Sequence, residues 1–225
     1  MRKVLISGFR HWNQYVKYYQ EIGSGVPVWC EPPKRFITGG MIVNDLELGE
    51  YLAGGTPVEF NVETKKAKLL KLWRIVTATV SGTDTVVTLQ KAWVLPLLKN
   101  GMVIMVVPST PTGTGKAFLL TGLTETDTTY TFTVATDALD TLTVGGFLAE
   151  SAATATGTGA SLYAIPNSLT LEETVGGDQN SVGVARGHKY IYRNTIPPMP
   201  NSIANLIPDL YFDFFNELQS SGYVE

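Results

Sequence analysis

Among the residues whose type and spacing could support chemistry, Gly115-Lys116 in TPTGTGKAF is the most suggestive, because it echoes the end of a phosphate-binding loop. Such a loop needs a glycine five positions earlier, so that the backbone can curl round phosphate oxygens, and a Ser or Thr after the lysine to hold magnesium. Thr110 and Ala117 occupy those positions, so the segment reads as a hairpin turn. His11 and His188 are the two histidines and Cys30 is the single cysteine, which leaves no multi-histidine or cysteine-based zinc site and no intrachain disulfide. Cys30 reads as a small buried hydrophobe. No G-x-S-x-G elbow occurs, so no hydrolase triad is assigned. Glu172 and Glu173 are adjacent, and adjacent side chains on a strand point to opposite faces, so they do not form an acid–base carboxylate pair. No enzymatic activity, cofactor or metal is expected.

Charge patterning is the next candidate. Lys65, Lys66, Lys68 and Lys71 form the densest cationic cluster, directly after a Gly-Gly turn and the short strand TPVEF. Lysines that flank Ala67, Leu69 and Leu70 are expected to guard an exposed strand edge against pairing. The other reading is electrostatic docking on an acidic protein surface. Net charge is −3 and the isoelectric point is near 5.5, the wrong sign for a protein that neutralises phosphates, so no nucleic-acid partner is expected. No apolar run reaches the roughly 18 residues of a membrane span, and the start MRKVLISGFRHWNQYVKYY lacks the pattern of a signal peptide. Neither a membrane nor export is expected.

These residues must be positioned by elements that the hydrophobic pattern reveals. Trp12, Tyr15, Val16, Tyr19 and Ile22 follow the spacing of one helical face and end at Gly23-Ser24-Gly25. The stretch VPVWCEPPKRFITGG holds three prolines and two glycines, which argues for an extended arm rather than a helix or central strand. From Thr56 onward short segments rich in β-branched residues alternate with Gly, Asn, Asp and Pro, as in LWRIVTATV, TDTVVTLQ, MVIMVV and TYTFTV. This predicts a mainly β fold, an antiparallel sandwich or barrel-like core, with short N- and C-terminal helices. The motifs at Thr83-Asp84-Thr85, Thr126-Asp127-Thr128 and Thr136-Asp137 read as hairpin punctuation. At the end, Ile207, Leu210, Tyr211, Phe214, Phe215 and Leu218 fit one face of a helix that starts at Pro208, with Asp209, Asp213 and Glu217 opposite.

The expected organisation is an N-terminal helix and arm over 1–45, a first β core part over 46–112 and a threonine-rich β insertion over 113–159. A second core part over 160–200 and an amphipathic helix over 201–225 follow. The insertion is inferred from its composition and from the Gly-Thr-Gly repeats at Gly113 and Gly157 that flank it. With 44% hydrophobic and 16% charged residues, the chain carries more apolar surface than a monomer needs. Trp12, Tyr15, Val16, Tyr19, Leu210, Tyr211, Phe214, Phe215 and Leu218 are therefore the candidate interface.

Four segments carry a resemblance: Gly55-Thr56-Pro57-Val58, Pro166-Asn167-Ser168-Leu169-Thr170, Gly176-Gly177-Asp178-Gln179 and Ile196-Pro197-Pro198-Met199-Pro200. In this order they resemble the head fibre and capsid decoration (auxiliary capsid) proteins of tailed phages, of the type found in phages of Bacteroidetes-type bacteria. The resemblance covers about half of the chain and lies in turn chemistry. It implies a non-enzymatic virion protein, synthesised in the host cytoplasm, that binds the major capsid protein on the outer capsid surface, as a homo-oligomer with a trimer favoured. The alternative is a carbohydrate-binding or adhesin-like β module, for which Trp73, Trp93 and Tyr130 would supply stacking faces. Trp73 and Trp93 lie in apolar strands and are expected in the core.

Overall fold

The computed structural model describes residues 35–42, 46, 50–92, 95–171, 173–176, 181–186, 189–192 and 196–213. In chain order the first strands are β1 (Arg35–Ile42), β2 (Tyr51–Leu52), β3 (Pro57–Asn61), β4 (Lys66–Leu69), β5 (Leu72–Ser81), β6 (Asp84–Gln90), β7 (Val103–Val106) and β8 (Gly115–Leu119). They are followed by β9 (Thr124–Glu125), β10 (Thr129–Ala135), β11 (Phe147–Glu150), β12 (Ala155–Ala160), β13 (Ser168–Thr170) and β14 (Thr174–Val175). Then come β15 (Ser181–Arg186), β16 (Lys189–Tyr192), the four-residue helix α1 (Asn201–Ala204) and β17 (Leu210–Asp213). The fold is mainly antiparallel β.

Two sheets dominate. The first has the order β1-β15-β13-β3-β4, and β4 returns to β1 through a short parallel pairing, Met41↔Lys66 and Ile42↔Ala67, giving a barrel-like ring. The second is eight-stranded, in the order β12-β8-β7-β11-β5-β6-β10-β9. The threonine-rich sequences fold as strands because their alternation matches the pleat: Thr85, Val87 and Leu89 of β6 and Tyr130, Phe132 and Val134 of β10 point inward, with Val86, Thr88, Thr131 and Thr133 between them on the other face. The Thr-Asp motifs do punctuate turns. Thr83 lies in the β5–β6 turn, Thr126 Oγ1 accepts the backbone N–H of Thr129 at 3.0 Å in the β9–β10 turn, and Thr136 follows β10.

Three apolar clusters fill this framework. Ile42, Val58, Phe60, Ala67, Leu69 and Val184 line the ring. Trp73, Ile75, Leu89, Ile104, Phe132 and Leu148 belong to a second cluster, within the eight-stranded sheet. Leu70, Leu72, Met105, Ala149, Leu169, Ile191 and Ile203 belong to a third, which spans both sheets. Neighbouring residues of β5, β7 and β11 divide between the last two clusters, Trp73 from Leu72, Ile104 from Met105 and Leu148 from Ala149, as alternation on a strand buried on both faces requires.

Three sequence expectations are corrected. The segment 113–159 is no peripheral insertion: β11 lies between β5 and β7, and Leu120, Phe132, Val134, Leu139 and Leu148 are core. The whole of 72–160 is what separates the two halves of the ring. Its Gly-Thr-Gly repeats meet as antiparallel neighbours, with Ala160 opposite Gly115. Second, residues 35–42 of the expected arm form β1, with partners on both sides. A slip in register between Ile37 and Gly40 accommodates the Gly39-Gly40 step. Third, no terminal helix runs through 207–213. Pro208 supplies no N–H and Asp209 has φ +56°, so the tight turns after α1 end there, and Leu210–Asp213 extends as β17, parallel to β16. The expected N-terminal helix lies outside the described residues.

Candidate functional site

Two of the four segments singled out by the sequence, Gly55–Val58 and Pro166–Thr170, come together in space. Gly55, at φ +80°, turns the chain into Thr56, whose backbone N–H donates to Thr170 Oγ1 at 2.9 Å. The Thr56 hydroxyl donates to Ala53 O at 2.7 Å, and the Thr170 hydroxyl donates to the same carbonyl at 3.1 Å. Backbone bonds from Gly55 N to Thr170 O and from Thr170 N to Thr56 O, both 2.9 Å, complete a buried polar seam. Pro57 lies opposite Leu169 in the β3–β13 pairing. One step further on, the Asn167 carboxamide takes both backbone groups of Phe60: its oxygen accepts the N–H at 3.1 Å and its NH2 donates to the C=O at 3.1 Å. Hydroxyls and amides placed this way satisfy backbone groups.

Beside the seam lies the buried charge. Lys71 Nζ stands 3.2 Å from Glu50 Oε1, with side-chain exposures of 6% and 1%. Glu50 O also accepts the N–H of Gly176 at 2.7 Å, and β2 pairs with β14 next to it. The Tyr51 hydroxyl donates to Glu173 Oε2. Burial, and then the bonded carboxylate, hold the Tyr51 phenol far above its ordinary pKa. Tyr130 is also raised, by burial first, against the opposing effect of a backbone hydrogen bond from Leu98. Lys91 lies with Nζ 5.5 Å from the Tyr130 ring centroid and pairs with Glu125; that hydrogen bond is the main reason its pKa is raised.

The lysine cluster is divided by the pleat. On β4, Lys66 and Lys68 face outward while Ala67 and Leu69 face the core, and Lys65 is exposed in the preceding turn. Lys71 is buried with Glu50 and is not part of any cationic surface. β4 is paired with β3 along its length and with β1 at Lys66 and Ala67, so the guarded-edge reading applies only to what remains of its second side.

Gly115-Lys116 opens strand β8 and is not the hairpin turn expected from the sequence. Lys116 N–H donates to Asp140 Oδ2 at 3.0 Å, and Lys116 Nζ donates to Asp137 O at 2.9 Å. A carboxylate stands where a phosphate loop would offer a free N–H. Trp73 is fully buried, with Nε1 donating to Pro96 O at 2.9 Å, and Tyr130 is buried too, so neither ring offers a stacking face. Trp93 lies outside the described residues. Of the candidate interface, Leu210 packs against the cluster that spans both sheets and Tyr211 is 44% exposed. Trp12, Tyr15, Val16, Tyr19, Phe214, Phe215 and Leu218 lie outside the described residues, as do both histidines, Cys30 and Glu172.

Sequence reasoning missed Glu50 and Tyr51 as members of a polar cluster, since GEYLAGG reads only as a turn approach. Asn167 was quoted for its turn chemistry, and its position after Pro166 was the available signal for a side chain that bonds to backbone. Among the described residues no group of three or more His, Cys, Asp or Glu is placed to hold a metal ion. No described helix is long and apolar enough to cross a membrane. The chain matches no protein-family model, no curated protein and no solved structure.

Proposed function

We propose that the protein is a non-enzymatic structural component of a tailed-phage virion that binds the outer capsid surface, as a decoration, cementing or head-fibre-anchoring subunit. The observation that supports this reading is the seam between Gly55–Val58 and Pro166–Thr170. These two segments, which carry much of the resemblance, are separated by more than 100 residues yet are hydrogen-bonded to each other.

The major capsid protein is the proposed partner, with the protein itself assembling as a homo-oligomer, a trimer in the favoured case. The contact is assigned to the chain's ends, where Tyr211 presents an exposed ring just before Phe214, Phe215 and Leu218. Cosedimentation of the purified protein with purified capsids tests the partner. Sedimentation velocity of the free protein tests the oligomer.

A further inference from the structure

We propose that Lys71 and Glu50 are the two halves of an intramolecular amide cross-link, closed between Lys71 Nζ and the Glu50 side-chain carboxyl carbon. The inference does not depend on the capsid reading. Lys71 is buried, and its chain neighbours belong to all three apolar clusters: Leu69 to the ring cluster, Leu70 and Leu72 to the cluster spanning both sheets, and Trp73 to the cluster within the eight-stranded sheet. An ammonium and a carboxylate held there have lost most of their water, and a low-dielectric setting penalises both ions.

Condensation requires a neutral amine and a neutral acid, reached by passing one proton from the ammonium to the carboxylate. The N···O distance of 3.2 Å places the nitrogen beside the carboxyl group that it would attack. The nitrogen lone pair forms the C–N bond and one C–O bond breaks. The oxygen leaves as water, carrying two of the three protons of the original ammonium. The product is a neutral amide in place of two buried charges. No oxidant, reductant or second reactant enters.

A third carboxyl lies on the neighbouring strand. The β5–β11 register pairs Leu72 with Ala149, and one step further Glu150 donates its backbone N–H to Lys71 O at 3.1 Å. Glu150 therefore faces Lys71 across the strand pair, on the same face of the sheet. From there it can take a proton from the attacking amine and return it to the departing oxygen, as a carboxyl near a reacting group does. The bond would join two residues 21 positions apart and staple β2, β3 and β4 into one closed loop.

The test is the intact mass of the denatured wild-type protein, followed by peptide mapping. The expected result is a mass lower than that of the sequence by one water, with the loss located in a peptide pair joined through Lys71 and Glu50. The Lys71→Arg variant keeps a cation but no condensable amine, and is expected at its full sequence mass. Glu150→Gln is expected to leave freshly purified protein largely unlinked. A wild-type mass equal to that of the sequence overturns the proposal, and so does a water loss that persists in Lys71→Arg. Complete cross-linking in Glu150→Gln would remove Glu150 from it.

Discussion

The side chain of Asn167 replaces a strand neighbour for Phe60, accepting its N–H and donating to its C=O, both at 3.1 Å, across 107 residues of sequence. A carboxamide is the one uncharged side chain with donor and acceptor placed for this. Asn167→Ala leaves a donor and an acceptor unmet beside a buried phenyl ring, at a cost of about 1–3 kcal/mol. For a chain of this length the melting temperature is expected to fall by about 2–4 °C per kcal/mol. Asn167→Asp keeps only the acceptor and should also destabilise. Thermal melts of the two variants against wild type check this, and unchanged midpoints for both would show that the clamp contributes nothing.

The start of β8, which echoed a phosphate loop, has a steric requirement instead. A Cβ added at Gly115 would lie 2.3 Å from Asp140 Oδ2, the atom that accepts the Lys116 N–H, whereas one added at Gly157 meets nothing within 4 Å. Gly115→Ala is expected to destabilise by about 1–3 kcal/mol, the range for forcing atoms into a packed site. Gly157→Ala should stay within about 0.5 kcal/mol of wild type. Denaturant titration of the pair measures the difference, and equal midpoints would refute the steric account.

Residues 113–159 are expected to be indispensable. Removing them takes Phe132, Val134, Leu139 and Leu148 out of the core. Truncating one such side chain already costs about 2–5 kcal/mol, against a total stability of about 5–15 kcal/mol for a folded domain. It also removes β11 from between β5 and β7. Expression of the deletion variant should yield no soluble protein with a cooperative melt. A folded, soluble product would restore the peripheral-insertion reading.

Alkaline pH should destabilise the fold through Tyr51. Its phenol is held well above the ordinary value by burial and by Glu173, so the folded state retains a proton that the unfolded chain releases from near pH 10 upward. Stability from this group is complete below that pH and is lost as pH rises further. Tyr51→Phe should flatten the fall of melting temperature between about pH 9 and 11. An equally steep fall in the variant would place the sensitivity elsewhere.

What the sequence disclosed and what it hid divide along a physical line. The alternation of Thr85, Val87 and Leu89 and the burial of Trp73 were legible because period-two patterning records which face of a strand is dry. The C-terminal strand was not, since Ile207, Leu210 and Tyr211 fit a helix as well, and only the φ of Asp209 and the pairing of β17 with β16 decide the matter. Composition misplaced the boundary at 113 because the threonines mark the outer face of a sheet that also includes β5 and β6, not a separate unit. The Glu50–Lys71 pair had no signature at all: a lysine in KLLKLW looks like its exposed neighbours until the fold buries it.

Cosedimentation with purified capsids, with increasing protein and at two salt concentrations, tests the capsid-binding account most directly. Apolar burial of about 25 cal/mol per Å² by the side chains of Tyr211, Phe214, Phe215 and Leu218 should dominate. Lys65, Lys66 and Lys68 add exposed contacts of under about 1 kcal/mol each. The account predicts saturable pelleting that survives moderate salt, is weakened by Phe214→Ala and is little changed when the three exposed lysines become alanine. Absence of saturable pelleting would contradict it. So would binding that collapses with salt and with the lysine variant while Phe214→Ala binds as wild type.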